Sequence, residues 1–77
     1  MYRFLIVIEH ANGNYSAYSP DLPGCVATGK TKEETEQNMY EAIKLHLHGL
    51  REDNLPVPKS EAISEYVVLQ EEVYGRS

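Results

Sequence analysis

The stretch from Tyr2 to Asn14 leaves this chain few folds to choose from. Tyr2-Arg3-Phe4-Leu5-Ile6-Val7-Ile8 is apolar or aromatic at all positions but Arg3, and its branched and aromatic side chains suit a pleated strand. Ala11-Asn12-Gly13-Asn14 follows. Asn and Gly both tolerate the positive φ of a type I′ turn, so the strand is expected to double back as a hairpin onto Asn14–Ser19. Alternation along the first strand, Tyr2 to Ile8, sets Tyr2, Phe4, Ile6 and Ile8 on one face and Leu5 and Val7 on the other. A strand apolar on both sides needs cover on both sides. The same run could be taken for a signal peptide, but it stops at Glu9-His10 without a small-residue cleavage site. Nothing in the chain approaches the roughly 20 apolar residues that span a bilayer.

The return strand alternates Tyr15, Ala17 and Ser19 with Ser16 and Tyr18, until Pro20-Asp21-Leu22-Pro23-Gly24 interrupts it. Two prolines in four residues cannot sit inside a ladder, so this is a loop before a short third strand, Cys25 to Thr28. Thr31-Lys32-Glu33-Glu34 is a capping box: the Thr31 hydroxyl can accept from the Glu34 amide while the Glu34 side chain reaches back. Met39, Ile43, Leu47 and Leu50, with Ala42 beside them, then recur at helical spacing as one buried stripe. Pro56 and Pro58 forbid continuation, so the helix should end near Arg51 to Asn54. After that rigid connector, Ser64 to Leu69, centred on Tyr66-Val67-Val68-Leu69, reads as a fourth strand. The expectation is a single α+β domain over residues 1–70, βββαβ, with an antiparallel sheet of three to four strands, one helix on one face, and a polar tail at 71–77.

Length sets a further demand. A chain of 77 residues buries only about 60% of the surface its unfolded form exposes, so folds of this size need a disulfide, a metal or another copy to hold them. Cys25 is the single cysteine, which excludes an internal disulfide and suits a reducing cytoplasm. The three histidines, His10, His46 and His48, have no zinc-finger spacing. Self-association remains, with a second copy the cheapest candidate. It would also cover the face of the first strand that one helix leaves open, unless Arg3 and the hairpin tyrosines shield it.

Candidate chemistry is sparse. His46 and His48 lie two apart on a helix and point about 200° from each other, so they cannot share an ion. Cys25 has no base placed to make it a thiolate. The twelve acids avoid the strand interiors, where a two-metal nuclease would need several to converge. A net charge of −5 with a pI near 5.0 argues against a surface that binds nucleic-acid phosphates nonspecifically. No catalytic residue, metal or cofactor is expected, and the chain reads as a binding protein rather than an enzyme. The exception is Tyr18-Ser19-Pro20-Asp21-Leu22-Pro23-Gly24-Cys25. Its prolines pre-set φ, Asp21 can cap the turn, and a pre-ordered loop binds well. It serves equally well as a plain connector between strands.

At this loop the chain resembles the HicB family of antitoxins, which neutralise HicA, a small ribonuclease toxin. The resemblance is carried by the apolar first strand, the aromatic second strand, Ser19-Pro20-Asp21-Leu22-Pro23-Gly24-Cys25, the helix start over Gly29 to Glu34, Glu41-Ala42-Ile43, and Pro56-Val57-Pro58. It implies a partial RNase H-like fold without nuclease carboxylates, an acidic surface that occludes a basic toxin, dimers or tetramers, and a partner-binding role for Tyr18, Pro20, Asp21, Leu22, Pro23, Gly24 and Cys25. Many relatives carry a C-terminal operator-binding segment; only eight residues follow Leu69, so direct DNA binding is not expected here. The alternative is a solitary oligomeric relative with a scaffold, small-ligand or RNA-binding role and no toxin partner.

Overall fold

The computed structural model describes residues 2–71. It contains β1 (Val7–Ala11), β2 (Asn14–Tyr18), β3 (Val26–Gly29) and α1 (Lys32–Glu52). The three strands form one antiparallel sheet in the order β1-β2-β3, and α1 packs on one face of it. This is the α+β arrangement expected.

The hairpin forms as its turn chemistry dictates. Asn12 and Gly13 take φ of 52° and 81°, and Ala11 pairs with Asn14 across a two-residue loop. The ladder ends where Tyr18 meets Val7, because Pro20 has no amide to donate. Ser19 bridges the gap: its hydroxyl donates to the Leu5 carbonyl at 2.8 Å. The first strand is therefore shorter than the apolar run, and Tyr2–Ile6 continue beyond it while Phe4 and Ile6 still pack on the core. The third strand begins one residue later than expected, since the Cys25 amide donates to the Leu22 carbonyl at 3.1 Å and is lost to the ladder.

Helix α1 is capped at both ends. The Thr31 hydroxyl accepts from the Glu34 amide at 3.0 Å, and the Glu34 carboxylate accepts from the Lys30 amide at 2.7 Å, one residue before the cap. At the other end the Asn54 amide donates to Arg51 O at 3.0 Å and the Leu55 amide to Leu50 O at 2.8 Å. With Asn54 at φ 56°, this is a Schellman stop in which Asn takes the place usually held by Gly. The prolines lie beyond an end that Asn54 has already made.

Ala17, Leu22, Cys25, Met39 and Leu47 form the buried core, flanked by Phe4, Ile6, Ile8, Ala27, Ala42, Ile43, Leu50 and Val57. Ile8, Ala17 and Ala27 are paired across the three strands, so the sheet presents small side chains beneath the helix. At its N-terminal end the contact is tighter. Thr35 is fully buried, its hydroxyl donates to Thr31 O at 2.7 Å, and it lies directly over Gly29. The Asn38 side chain adds a bond to Thr28 O at 2.8 Å.

The fourth strand expected over Ser64–Leu69 does not form within the chain: these residues join no ladder. Tyr66, Val67 and Val68 are 97%, 80% and 90% exposed. β-propensity describes fitness for a sheet surface and does not by itself place a segment beside a strand to pair with. Of the tail at 71–77, only Glu71 lies among the described residues.

A Cβ on Gly29 would stand 2.6 Å from the Thr35 hydroxyl and 2.9 Å from the Thr35 amide nitrogen. Gly29→Ala should therefore push α1 off the sheet and cost about 1–3 kcal/mol, as overpacking does. Urea unfolding checks this, and an unchanged midpoint would show that the helix start gives way freely.

Candidate functional surface

Residues Tyr18–Cys25 fold into two fused turns. The Leu22 amide donates to Ser19 O and the Cys25 amide to Leu22 O, both at 3.1 Å. Pro20 and Pro23 each occupy the second position of a turn, and Gly24, at φ 84°, supplies the positive φ that the third position of a type II turn requires. Leu22 closes the first turn and opens the second. Its side chain is fully buried.

The residues singled out in this loop thus separate into three groups. Leu22 and Cys25 are core residues that fasten the loop from inside. Tyr18, Pro20, Pro23 and Gly24 are exposed. Asp21 is half-buried, and rather than capping its own turn it accepts the amides of Glu61 and Ala62, both at 3.2 Å. The loop therefore clamps the chain that follows the proline connector, across 40 residues of sequence. Aspartate in a proline-rich turn signals local capping; no pattern in the sequence points to its distant partners.

Beside the loop lies the sheet face that α1 does not cover. Val7, Tyr18 and Val26 are directly opposite one another across the three strands and form an apolar row, with Tyr18 43% and Val26 63% exposed. Glu9, Ser16 and Thr28 make the next row. The two-faced first strand anticipated such a surface, but Val26 became part of it only through the register of β3. Exposed carboxylates at Glu9, Glu33, Glu34, Glu36 and Glu41 give the molecule an acidic exterior.

The remaining candidates stay apart. His46 is half-buried, and His48 is exposed with its Nε2 3.8 Å from a Glu52 carboxylate oxygen. Among the described residues, no three His, Cys, Asp or Glu side chains converge as a metal site would require. Burial raises the Cys25 thiol above its ordinary pKa, because the apolar surroundings disfavour the thiolate.

Two measurements follow from this geometry. Since the thiolate is the reactive form, Cys25 in the native protein should alkylate more slowly at pH 8 than in the urea-unfolded chain. The folded-state pKa is the higher one, so its contribution to stability is intact below the ordinary thiol range and lost as pH rises above it. Equal native and unfolded labelling rates would show that the thiol is open to solvent. Asp21→Ala should free Glu61 and Ala62, raising their amide exchange and lowering stability by about 1 kcal/mol. Unchanged exchange at those two amides would remove Asp21 as the clamp.

Comparison with known proteins agrees with these features. Residues 4–75 match the model of the HicB-like antitoxin of bacterial toxin–antitoxin systems. A UPF0150 protein of Synechocystis is 39% identical over 64 residues, covering 82% of this chain and 81% of that protein. A UPF0150 protein of Helicobacter pylori is 47% identical over 49 residues, 64% of this chain and 68% of its own length. An uncharacterised 14.9 kDa protein of Haemophilus phage HP1 is 42% identical over 62 residues, and the match covers 80% of this chain but only 47% of that protein. No solved structure matches significantly. No helix among the described residues is long and apolar enough to cross a membrane. With a family match that runs from the first strand through the loop and helix to the C-terminal segment, the chain belongs to the HicB-like antitoxins.

Proposed function

We propose that this protein neutralises a small basic ribonuclease of the HicA type by occluding it, and that it acts without catalysis of its own. The match to an antitoxin family over residues 4–75 carries the reading. The open sheet face supports it by offering a place to bind: a Val7-Tyr18-Val26 row bordered by a loop whose two turns are already formed. Such a loop loses little conformational entropy on binding. The acidic exterior favours a basic partner and speeds its approach, an effect that salt weakens.

In this reading the seven loop residues have different tasks. Tyr18, Pro20, Pro23 and Gly24 touch the toxin. Leu22 and Cys25 keep the loop in shape from the core, and Asp21 ties it to residues 61–62. Tyr18 is the anchor, because a half-exposed tyrosine in a flat apolar row is the kind of residue on which binding energy concentrates.

Co-expression with a small basic HicA-type ribonuclease encoded beside this gene tests the proposal. The two proteins should co-purify and toxicity should disappear. Tyr18→Ala should weaken the complex about ten-fold or more, equivalent to 1.4 kcal/mol or more, with little change in urea stability. If the partner neither co-purifies nor loses toxicity, neutralisation fails as an account of this protein. Metal-dependent RNA cleavage that vanished in Asp21→Asn would overturn the non-catalytic part separately.

A further inference from the structure

Two regular rows of side chains border one opening between the helix and the sheet. Tyr2, Phe4 and Ile6 alternate onto the same side of the segment that leads into β1, and the rings of Tyr2 and Phe4 are stacked with centroids 6.3 Å apart and planes at 18°. On α1, Tyr40, Ile43, Lys44 and Leu47 recur at three- and four-residue spacing and so share one side of the helix. The helix is held closest to the sheet where Thr35 lies over Gly29 of β3, and β1 is the edge strand on the far side from that contact. There a cleft of about 650 Å³ stays open between the two rows, with the fully buried Met39 in its lining. Tyr2 and Tyr40, which also line it, remain 53% and 57% exposed.

We infer that this cleft binds a small, flat aromatic carboxylate. Its volume falls in the range of small-molecule sites, which are concave and mostly apolar with a few polar groups to fix orientation. The apolar part favours an aromatic body. The chain holds six Tyr and one Phe, and Tyr2, Phe4 and Tyr40 all line this one cleft, where a planar ring can stack on theirs. Charge complementarity favours an anion. Of the three charged side chains in the lining, Arg3, Glu36 and Lys44, the single acid is engaged by Lys32 at 3.5 Å. The Lys44 ammonium stands over the Tyr40 ring, 5.3 Å from its centre, and reaches the Glu41 carboxylate only at 3.9 Å. Arg3 makes no ion pair among the described residues. A carboxylate at this rim would gain a charge-assisted bond from Lys44, and a forked one from a guanidinium that turns toward it.

The rest of the molecule sharpens that preference. With a net charge of −5, its acidic exterior repels an anion elsewhere, so the two cations beside an apolar cleft mark one place for it to settle. The cleft lies on the helix side of the sheet, whereas the Val7-Tyr18-Val26 row lies on the other face. Ligand and toxin therefore do not compete for the same surface, and the site stands or falls independently of neutralisation. A ligand seated between α1 and the segment before β1 touches both layers, and by binding only the folded form it stabilises a thin core.

The test titrates the full chain with 2-naphthoate and follows backbone amides by NMR. The amides of Phe4, Tyr40, Ile43 and Lys44 should shift saturably while those of Tyr18 and Val26 stay in place. 2-Naphthamide keeps the ring without the charge and octanoate keeps the charge without the ring; each should bind about ten-fold more weakly or worse. Lys44→Met, at an exposed side chain, should weaken 2-naphthoate by about ten-fold, leave 2-naphthamide unaffected and keep the urea midpoint. Tyr40→Ala should weaken both aromatic probes. Shifts that are absent or do not saturate overturn the inference. So does equal affinity for 2-naphthamide or octanoate, or wild-type affinity in Lys44→Met. Equal shifts along the Val7-Tyr18-Val26 row would show adsorption to apolar surface in general and overturn it too. If the cleft amides instead move when the protein alone is diluted, a second copy fills the cleft and the ligand site is refuted.

Discussion

Thr35 lies so close to Gly29 that a single methyl would not fit between them, and this contact sets how near α1 comes to the sheet. The two residues are joined by a short link containing Thr31, whose hydroxyl caps the helix and whose carbonyl receives the Thr35 hydroxyl. Sheet end, helix start and interlayer contact are thus one junction. The small side chains of Ala17 and Ala27 continue the close approach along the strands, and they leave room for Met39 and Leu47 to complete the core. Leu22 enters the same core from the loop side. The turns that could have been a mere connector are fixed by the same packing that fixes the helix.

One helix covers one face. The other face keeps its Val7-Tyr18-Val26 row partly in solvent, and the double turn stands at its border with its prolines outward. Binding surfaces of this kind follow from an economy of parts: the fold is too small to cover both sides of its sheet. Ile63–Leu69 likewise joins no ladder and stays in solvent. Both regions stay in solvent because the single helix covers neither.

Much of this was legible in residue order, and particular residues show where legibility ended. Asn12-Gly13 produced the hairpin because its conformational demand is local. The Thr31–Glu34 box and the stripe at Met39, Ile43 and Leu47 produced the helix and its buried side for the same reason. The helix stop was placed correctly, but its agent is Asn54 rather than the prolines after it. The loop was recognisable as stiff and distinctive. That Leu22 points into the core, while Asp21 reaches residues 61 and 62, depends on neighbours brought close by folding. Val26 joins Tyr18 through strand register, which no local pattern specifies.

The sequence by itself determined the hairpin, the proline loop, the helix with its N-terminal cap and the family, because each rests on periodicity, φ preference or a contiguous motif. Tertiary structure alone decided which loop residues are anchors and which are surface, how closely Gly29 and Thr35 meet, and that Ser64–Leu69 stays unpaired. Those outcomes turn on distances between segments far apart in the chain. A strand's propensity belongs to its own residues, but the edge it pairs with must come from elsewhere.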